Sequence, residues 1–149
     1  MSARARVPRI LWLVAVLVAC GGGDQETATP TPSASPAPAG QVQPAPDGKV
    51  ITVEMLTDEK GNNLFRPSTI DANAGDVLRF TLVSGVHNVH FPADSNRAAK
   101  NLPRASDLLQ LPGQTYDVLL DWEEGKYFFQ CDPHALLGMV GQLTIHEKD

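Results

Sequence analysis

The sequence predicts an all-β domain, a sandwich or barrel, over its last hundred residues or so. Three observations point there. Short stretches of apolar or β-branched residues recur between turn signals. Two of them, Val77 to Val83 and Thr115 to Leu120, alternate residue by residue, as a half-buried strand does. The one stretch that departs from this pattern, Asp94 to Gln110, has only broken periodicity.

The elements follow in order. Val50 to Leu56 is rich in β-branched residues, which favour strands. Thr69 to Ala72 is short and leads into the turn Ala74-Gly75-Asp76. In Val77 to Val83, one side carries Val77, Arg79, Thr81 and Val83, and the other carries Leu78, Phe80 and Leu82. His87 to Phe91 reads as a further extended segment. Asp94 to Gln110 reads as loop with one short helical turn near Ser106 to Leu109. Pro112-Gly113 is a turn signal, and Thr115 to Leu120 follows it. Lys126 to Gln130 carries the aromatics Tyr127, Phe128 and Phe129, and Val140 to His146 closes the domain with Val140, Leu143 and Ile145. No internal repeat is visible.

Ahead of this domain the chain changes character twice. Residues 1–19 have the make-up of an export signal: Arg4, Arg6 and Arg9 precede the apolar run Ile10 to Ala19. That run falls short of the roughly 20 apolar residues a bilayer span needs. It ends in Leu17-Val18-Ala19-Cys20-Gly21, which resembles the bacterial lipobox, whose cysteine becomes the lipidated first residue of the mature protein. Acyl chains on Cys20 would anchor the chain durably, at about 0.8 kcal/mol per buried CH₂. Residues 20–48 are then a tether of Gly, Pro, Ala, Thr, Ser and Gln, with Pro30, Pro32, Pro36, Pro38, Pro44 and Pro46 closely spaced. Having almost no bulky apolar side chain, this stretch cannot offset the entropy of ordering. Its reach is roughly 90 Å as extended polyproline II and nearer 30 Å as a coil. Residues 49–149 form the folded domain. The expected location is outside the cytoplasm, on a bacterial membrane.

Charge narrows the function classes. The chain carries 12 Lys+Arg against 17 Asp+Glu, a net charge of −5. Removing the leader with its three arginines leaves nine basic residues and a net charge of −8. No basic stripe is present, which argues against a nucleic-acid partner. There are two cysteines in all. With Cys20 lipidated, Cys131 would have no intramolecular partner in an oxidising compartment, and is a free thiol, an intermolecular bridge or a metal ligand.

The chemistry concentrates in Gly125 to Gly141. Cys131, His134 and Met139 are spaced Cys-x₂-His-x₄-Met, so a thiolate ending one strand, an imidazole one turn on and a thioether opening the next can face one point. Pro133 restricts the intervening turn and Gly138 permits it. Soft sulfur with imidazole selects copper. Two histidines, a thiolate and a weak axial methionine are the ligand set of blue copper electron-transfer sites. The second histidine must come from elsewhere, and Ser84-Gly85-Val86-His87-Asn88-Val89-His90-Phe91 offers both His87 and His90. Three residues apart on a strand, those two point to opposite faces, so both binding one ion is disfavoured.

Three blocks together resemble the plastocyanin-type cupredoxins: Phe65-Arg66-Pro67-Ser68-Thr69-Ile70 leading into Ala74 to Phe80, the pair His87-Asn88 with Val89 and Phe91, and the cysteine loop with its Gly-Met-x-Gly ending. They span about residues 49–146. The resemblance implies a Greek-key β-sandwich of about seven to eight strands and one copper ion, held by His87, Cys131, His134 and Met139. It implies that Asn88 ties the two ligand loops together, while His90 departs from the family pattern. It also implies that His134 projects an edge to solvent as the electron port. Val86, Leu136 and Leu137 around it would form a small apolar docking patch for transient redox partners. His146 near the chain end reads as exposed, and Trp122 as a loop aromatic.

The expected activity is therefore one-electron transfer by a monomer, not enzymatic catalysis. A copper oxidase or nitrite reductase would need a second copper centre, and a binuclear site a second cysteine in this loop. The alternative is copper capture or delivery, but such proteins commonly use Met- and His-rich clusters without a thiolate, and only Met55 and Met139 remain after processing.

Overall fold

The computed structural model describes residues 41–147 with the exception of 98. The leader, the Cys20 lipidation site and most of the proline-rich tether lie outside the described residues. Seven strands form: β1 (Val50–Thr57), β2 (Asn63–Arg66), β3 (Thr69–Asn73), β4 (Val77–Leu82), β5 (Thr115–Leu119), β6 (Gly125–Gln130) and β7 (Val140–His146). They make two sheets, ordered β2-β1-β4-β5 and β3-β7-β6. The pairs β1–β4 and β3–β7 are parallel, and the other neighbours antiparallel. This is the all-β sandwich the sequence predicts.

The inner faces meet in one apolar core. The alternation of β4 places Leu78, Phe80 and Leu82 inside, each at most 1 % exposed. Phe129 of β6 is the hub: its ring centroid lies 4.9 Å from Phe65, 5.5 Å from Phe80 and 5.6 Å from Phe91, mostly edge to face. Gly141 sits opposite Phe129 in the β6–β7 register, and a Cβ there would fall 2.1 Å from the Phe129 ring. A glycine is what lets this aromatic lie flat across the neighbouring strand. Trp122 is buried too, between Phe91 and Tyr127 at 5.0 Å from each.

Three features differ from the sequence expectation. The strand β2 was not foreseen; it is only four residues long, and its pairing with β1 is what defines it. His87 to Phe91 forms no continuous ladder. It crosses between the sheets, bridging to Leu109 through His87 and to Gln130 through His90. The helical turn of the long loop is a 3-10 turn at Ala93–Ser95, not at Ser106 to Leu109. The latter stretch is held extended, because the Ser106 N–H donates to the Val89 carbonyl at 2.9 Å and Leu109 exchanges two hydrogen bonds with His87.

The order of the strands gives the sandwich two functionally distinct ends. At one end β4 and β6 finish and β7 begins, bringing residues 83–90 and 131–139 together. At the other end the chain enters. Residues 42–48, assigned to the tether by composition, are hydrogen-bonded to the sandwich: the Val42 N–H donates to Asp117 and the Ala45 N–H to the Gly75 carbonyl. Asp117 is itself fixed by a two-pronged pair with Arg79, at 2.9 Å for each contact. Asp76, 1 % exposed, accepts the N–H groups of Lys49 and Asn73.

Candidate metal centre

Cys131 follows β6 directly and keeps extended backbone. Asp132–Leu137 then winds into a 3-10 helix with Pro133 in its first turn, where the missing N–H leaves no bond unmade. The His134 N–H donates to the Cys131 carbonyl at 3.0 Å, and the Met139 N–H to the His134 carbonyl at 3.1 Å. Gly138, at φ 92°, adopts the left-handed cap that ends the helix. The Cys131 N–H donates to the Met139 carbonyl at 3.1 Å and closes the loop. The backbones of Cys131, His134 and Met139 are thereby fixed relative to one another by bonds among themselves.

His87 arrives from the other sheet. Its Nδ1 lies 3.2 Å from His134 Nδ1 and 3.7 Å from Cys131 Sγ, while His134 Nδ1 lies 3.4 Å from the same sulfur. The point equidistant from these three atoms is about 2.0 Å from each, and N and S donors bind ions of this kind at roughly 2.0–2.3 Å. The donors therefore fit one small metal ion. Met139 is fully buried beside them, with its backbone bonded to two of the three. Among the described residues Cys131 has no disulfide partner.

Electrostatics prepares the donors unequally. Burial, together with the charge of His134, lowers the pKa of His87 below the usual histidine value, against a backbone hydrogen bond to Ser84 that raises it. A neutral imidazole with a free lone pair is the ligand form. Burial pushes the Cys131 thiol up, aided by the charge of Asp132, while backbone N–H groups of Asn88 and His134 work against it. The free protein thus holds Cys131 as a thiol, which yields its proton when a metal binds.

A hydrogen-bond clamp joins the two ligand segments. Asn88, nearly buried, donates from Nδ2 to Asp132 Oδ2 at 2.9 Å and accepts the Asp132 N–H on Oδ1 at 2.7 Å. The other carboxylate oxygen of Asp132 meets His90 Nδ1 at 2.8 Å and Gln130 Nε2 at 2.9 Å. Burial would raise the Asp132 pKa, but the hydrogen bonds from Gln130, Asn88 and His90, with the charge of His90, outweigh it and hold the carboxyl below its ordinary value. His90 therefore faces this clamp and not the donor cluster. Asp132 was missed by sequence reasoning; its only signal is an acid directly after the cysteine.

Several large apolar side chains stand exposed at this end. Leu136 is 102 % exposed, Leu137 73 % and Val86 43 %. Leu108 and Leu111, not foreseen as surface residues here, are exposed at the same end: Leu108 adjoins the residue that bridges to His87, and Leu111 lies just beyond it. His146 lies far from the donors, 3.4 Å from exposed Asp71.

A two-sheet sandwich with two imidazoles, a thiolate and a buried thioether at one end is the architecture of a small blue copper protein. Residues 53–146 match the model of the copper binding proteins of the plastocyanin/azurin family, and the chain belongs to that family. It is 38 % identical to a plastocyanin of Vicia faba over 97 residues, covering 62 % of this chain and 97 % of that one. It is 39 % identical over 102 residues to the chloroplastic plastocyanin of Pisum sativum, covering 64 % of this chain and 60 % of that one. The oxidised plastocyanin of Dryopteris crassirhizoma superimposes with a TM-score of 0.52 at 33 % identity, over 64 % of this chain and all of that one. The protein is a blue copper electron carrier that binds one copper ion, and His87, Cys131, His134 and Met139 form its candidate copper site.

Proposed function

We propose that the protein passes one electron at a time between transient protein partners through the outer edge of His134. The observation that carries this reading is the unequal burial of the donors. His87, Cys131 and Met139 are 0 % exposed, whereas His134 is half-buried in a turn whose Leu136 and Leu137 stand in solvent. When bound, copper supplies the one-electron change between Cu(II) and Cu(I). The chain's residues do the rest. Packed sheets hold the donors in one arrangement for both states, and burial keeps water from the sulfur. Four ligands from the chain leave no open position for a substrate, in keeping with a carrier and not an enzyme.

Val86, Leu136 and Leu137, together with Leu108 and Leu111, would form the docking surface. Transient redox partners use interfaces below roughly 1,200 Å². The setting we propose is outside the cytoplasm, with the signal removed and Cys20 lipidated. Entry of residues 42–48 at the end opposite the donors favours such an anchor, since a tether leaving there keeps His134 free to meet a partner.

The test is spectroscopic. Cu(II) added to the soluble protein from residue 41 onward is expected to give an intense thiolate-to-copper band that mild reductant bleaches reversibly. The band should vanish in Cys131→Ser. Tight Cu(I) binding without a stable Cu(II) form would reject electron transfer in favour of capture or delivery. For docking, Leu136→Asp should slow exchange with the natural partner about tenfold, the effect of losing one anchoring contact of ~1.4 kcal/mol, and leave the band unchanged. Unaltered exchange would remove the patch from the proposal.

A further inference from the structure

His87 has a second ring nitrogen, and its surroundings are built with care. Nε2 lies 3.3 Å from the hydroxyl of Thr57, which lies 2.7 Å from Asn63 Oδ1. Thr57 ends β1 and Asn63 opens β2, and the two are register partners across the strands. The hydroxyl has one proton, and the Asn63 oxygen takes it. A lone pair of the hydroxyl is then left for Nε2, which must carry the ring proton.

Thr57 is itself locked. Its N–H lies within bonding distance of Ser84 Oγ at 3.1 Å, and that hydroxyl donates to the Thr57 carbonyl at 2.9 Å. Space for the contact is provided by Gly85, where a Cβ would fall 2.3 Å from Thr57 Oγ1 and 2.7 Å from His87 Nε2. Among the described residues no buried side-chain nitrogen or oxygen lacks a partner.

We propose that Thr57 and Asn63 are positioning residues for the copper site, forming a relay that holds His87 as its Nε2–H tautomer and aims the Nδ1 lone pair at the metal. The relay also makes the imidazole a better donor, because a hydrogen bond accepted from one ring nitrogen raises the basicity of the other. A more basic ligand favours Cu(II) over Cu(I). Thr57 therefore sets the reduction potential as well as the ring orientation, without touching the ion. This inference rests on His87 being a ligand.

Two measurements test it. In the metal-free protein with its full sequence, long-range ¹⁵N–¹H correlation of His87 at neutral pH should show the Nε2–H tautomer; the Nδ1–H tautomer would overturn the relay, and no variant is needed to see it. In the copper-loaded protein, Thr57→Val should keep the thiolate band yet weaken Cu(II) binding relative to Cu(I) about tenfold, within the range usual for outer-shell partners of metal ligands. For a one-electron couple that is a rise of about 59 mV in potential. Thr57→Ser keeps the hydroxyl and should restore the original value. An unchanged potential in Thr57→Val, or no recovery in Thr57→Ser, would sink the proposal. A thiolate band that survives unaltered in His87→Ala would instead remove His87 from the site, a different failure from that of the relay.

Discussion

The two segments that bring donors to the metal site are held in opposite ways. The loop from Cys131 to Met139 is closed by bonds among its own members: His134 to Cys131, Met139 to His134, and Cys131 to Met139. The segment from Ser84 to His90 has few such bonds and leans on distant residues. His87 is paired with Leu109, Asn88 with Asp132, and the far side of the His87 ring with Thr57, 30 positions earlier. A local loop carries its geometry in its own sequence. A segment held from several strands carries only its chemistry, and its geometry is set by everything packed around it. Damage to the second segment should therefore spread further than equal damage to the first.

Two glycines with nearly the same backbone put this to the test, because Gly85 lies at φ 88° and Gly138 at φ 92°. The larger effect is expected at Gly85. Alanine there meets the unfavourable left-handed conformation and also collides with Thr57 and His87. We expect Gly85→Ala to cost roughly 3 kcal/mol of stability, adding about 1–2 for the backbone to a comparable overpacking penalty. Copper affinity should fall with it, because the collision displaces a donor. Denaturant unfolding of the metal-free protein, followed by copper titration, measures both. A loss of less than 1 kcal/mol would mean that the His87 segment yields easily and that the contrast is unreal.

The clamp between the segments comes next. Asn88→Ala removes the two bonds to Asp132, leaving the Asp132 N–H and one carboxylate oxygen without their partner. Each group is near the surface, so water recovers part of the loss, and about 2 kcal/mol is expected from the range for stripped polar groups. The sharper readout is spectroscopic. With the tie gone, the two donor segments can separate, and the thiolate band should broaden or shift even where copper still binds. An unshifted band in a destabilised protein would show that Asn88 supports the fold but not the donor geometry.

The same contrast explains what could be read in the sequence. The spacing of Cys131, His134 and Met139 was legible because all three lie in one self-closing loop. The strand β4 was legible because its two faces differ in polarity along six residues. His87 could be distinguished from His90 only by family resemblance. In the fold the two separate clearly, one 0 % exposed beside the sulfur and the other paired with Asp132. The strand β2 escaped because Asn63-Leu64-Phe65-Arg66 is too short to show a period, and its strand character comes from lying against β1. Thr57 left no local trace at all. A threonine at a strand end is ordinary until the fold places a buried imidazole 3.3 Å away. The expected helical turn near Ser106 failed for the same reason: pairing with the His87 segment overrode local preference.

The smallest effect belongs to Gly138, and it completes the pair with Gly85. A Cβ at Gly138 would have nothing within 4 Å, so only the backbone term remains. Gly138→Ala should therefore cost about 1 kcal/mol, the lower end of the left-handed penalty for a residue with a Cβ. The bonds that fix Cys131, His134 and Met139 do not pass through that missing side chain, so the thiolate band should keep its position and intensity. Band position and unfolding free energy, measured together on Gly138→Ala and Gly85→Ala, separate backbone strain from crowding. If Gly138→Ala shifted the band as far as Gly85→Ala does, the cysteine loop would be no more self-sufficient than the histidine segment, and its closure by internal bonds would not be what fixes the donors.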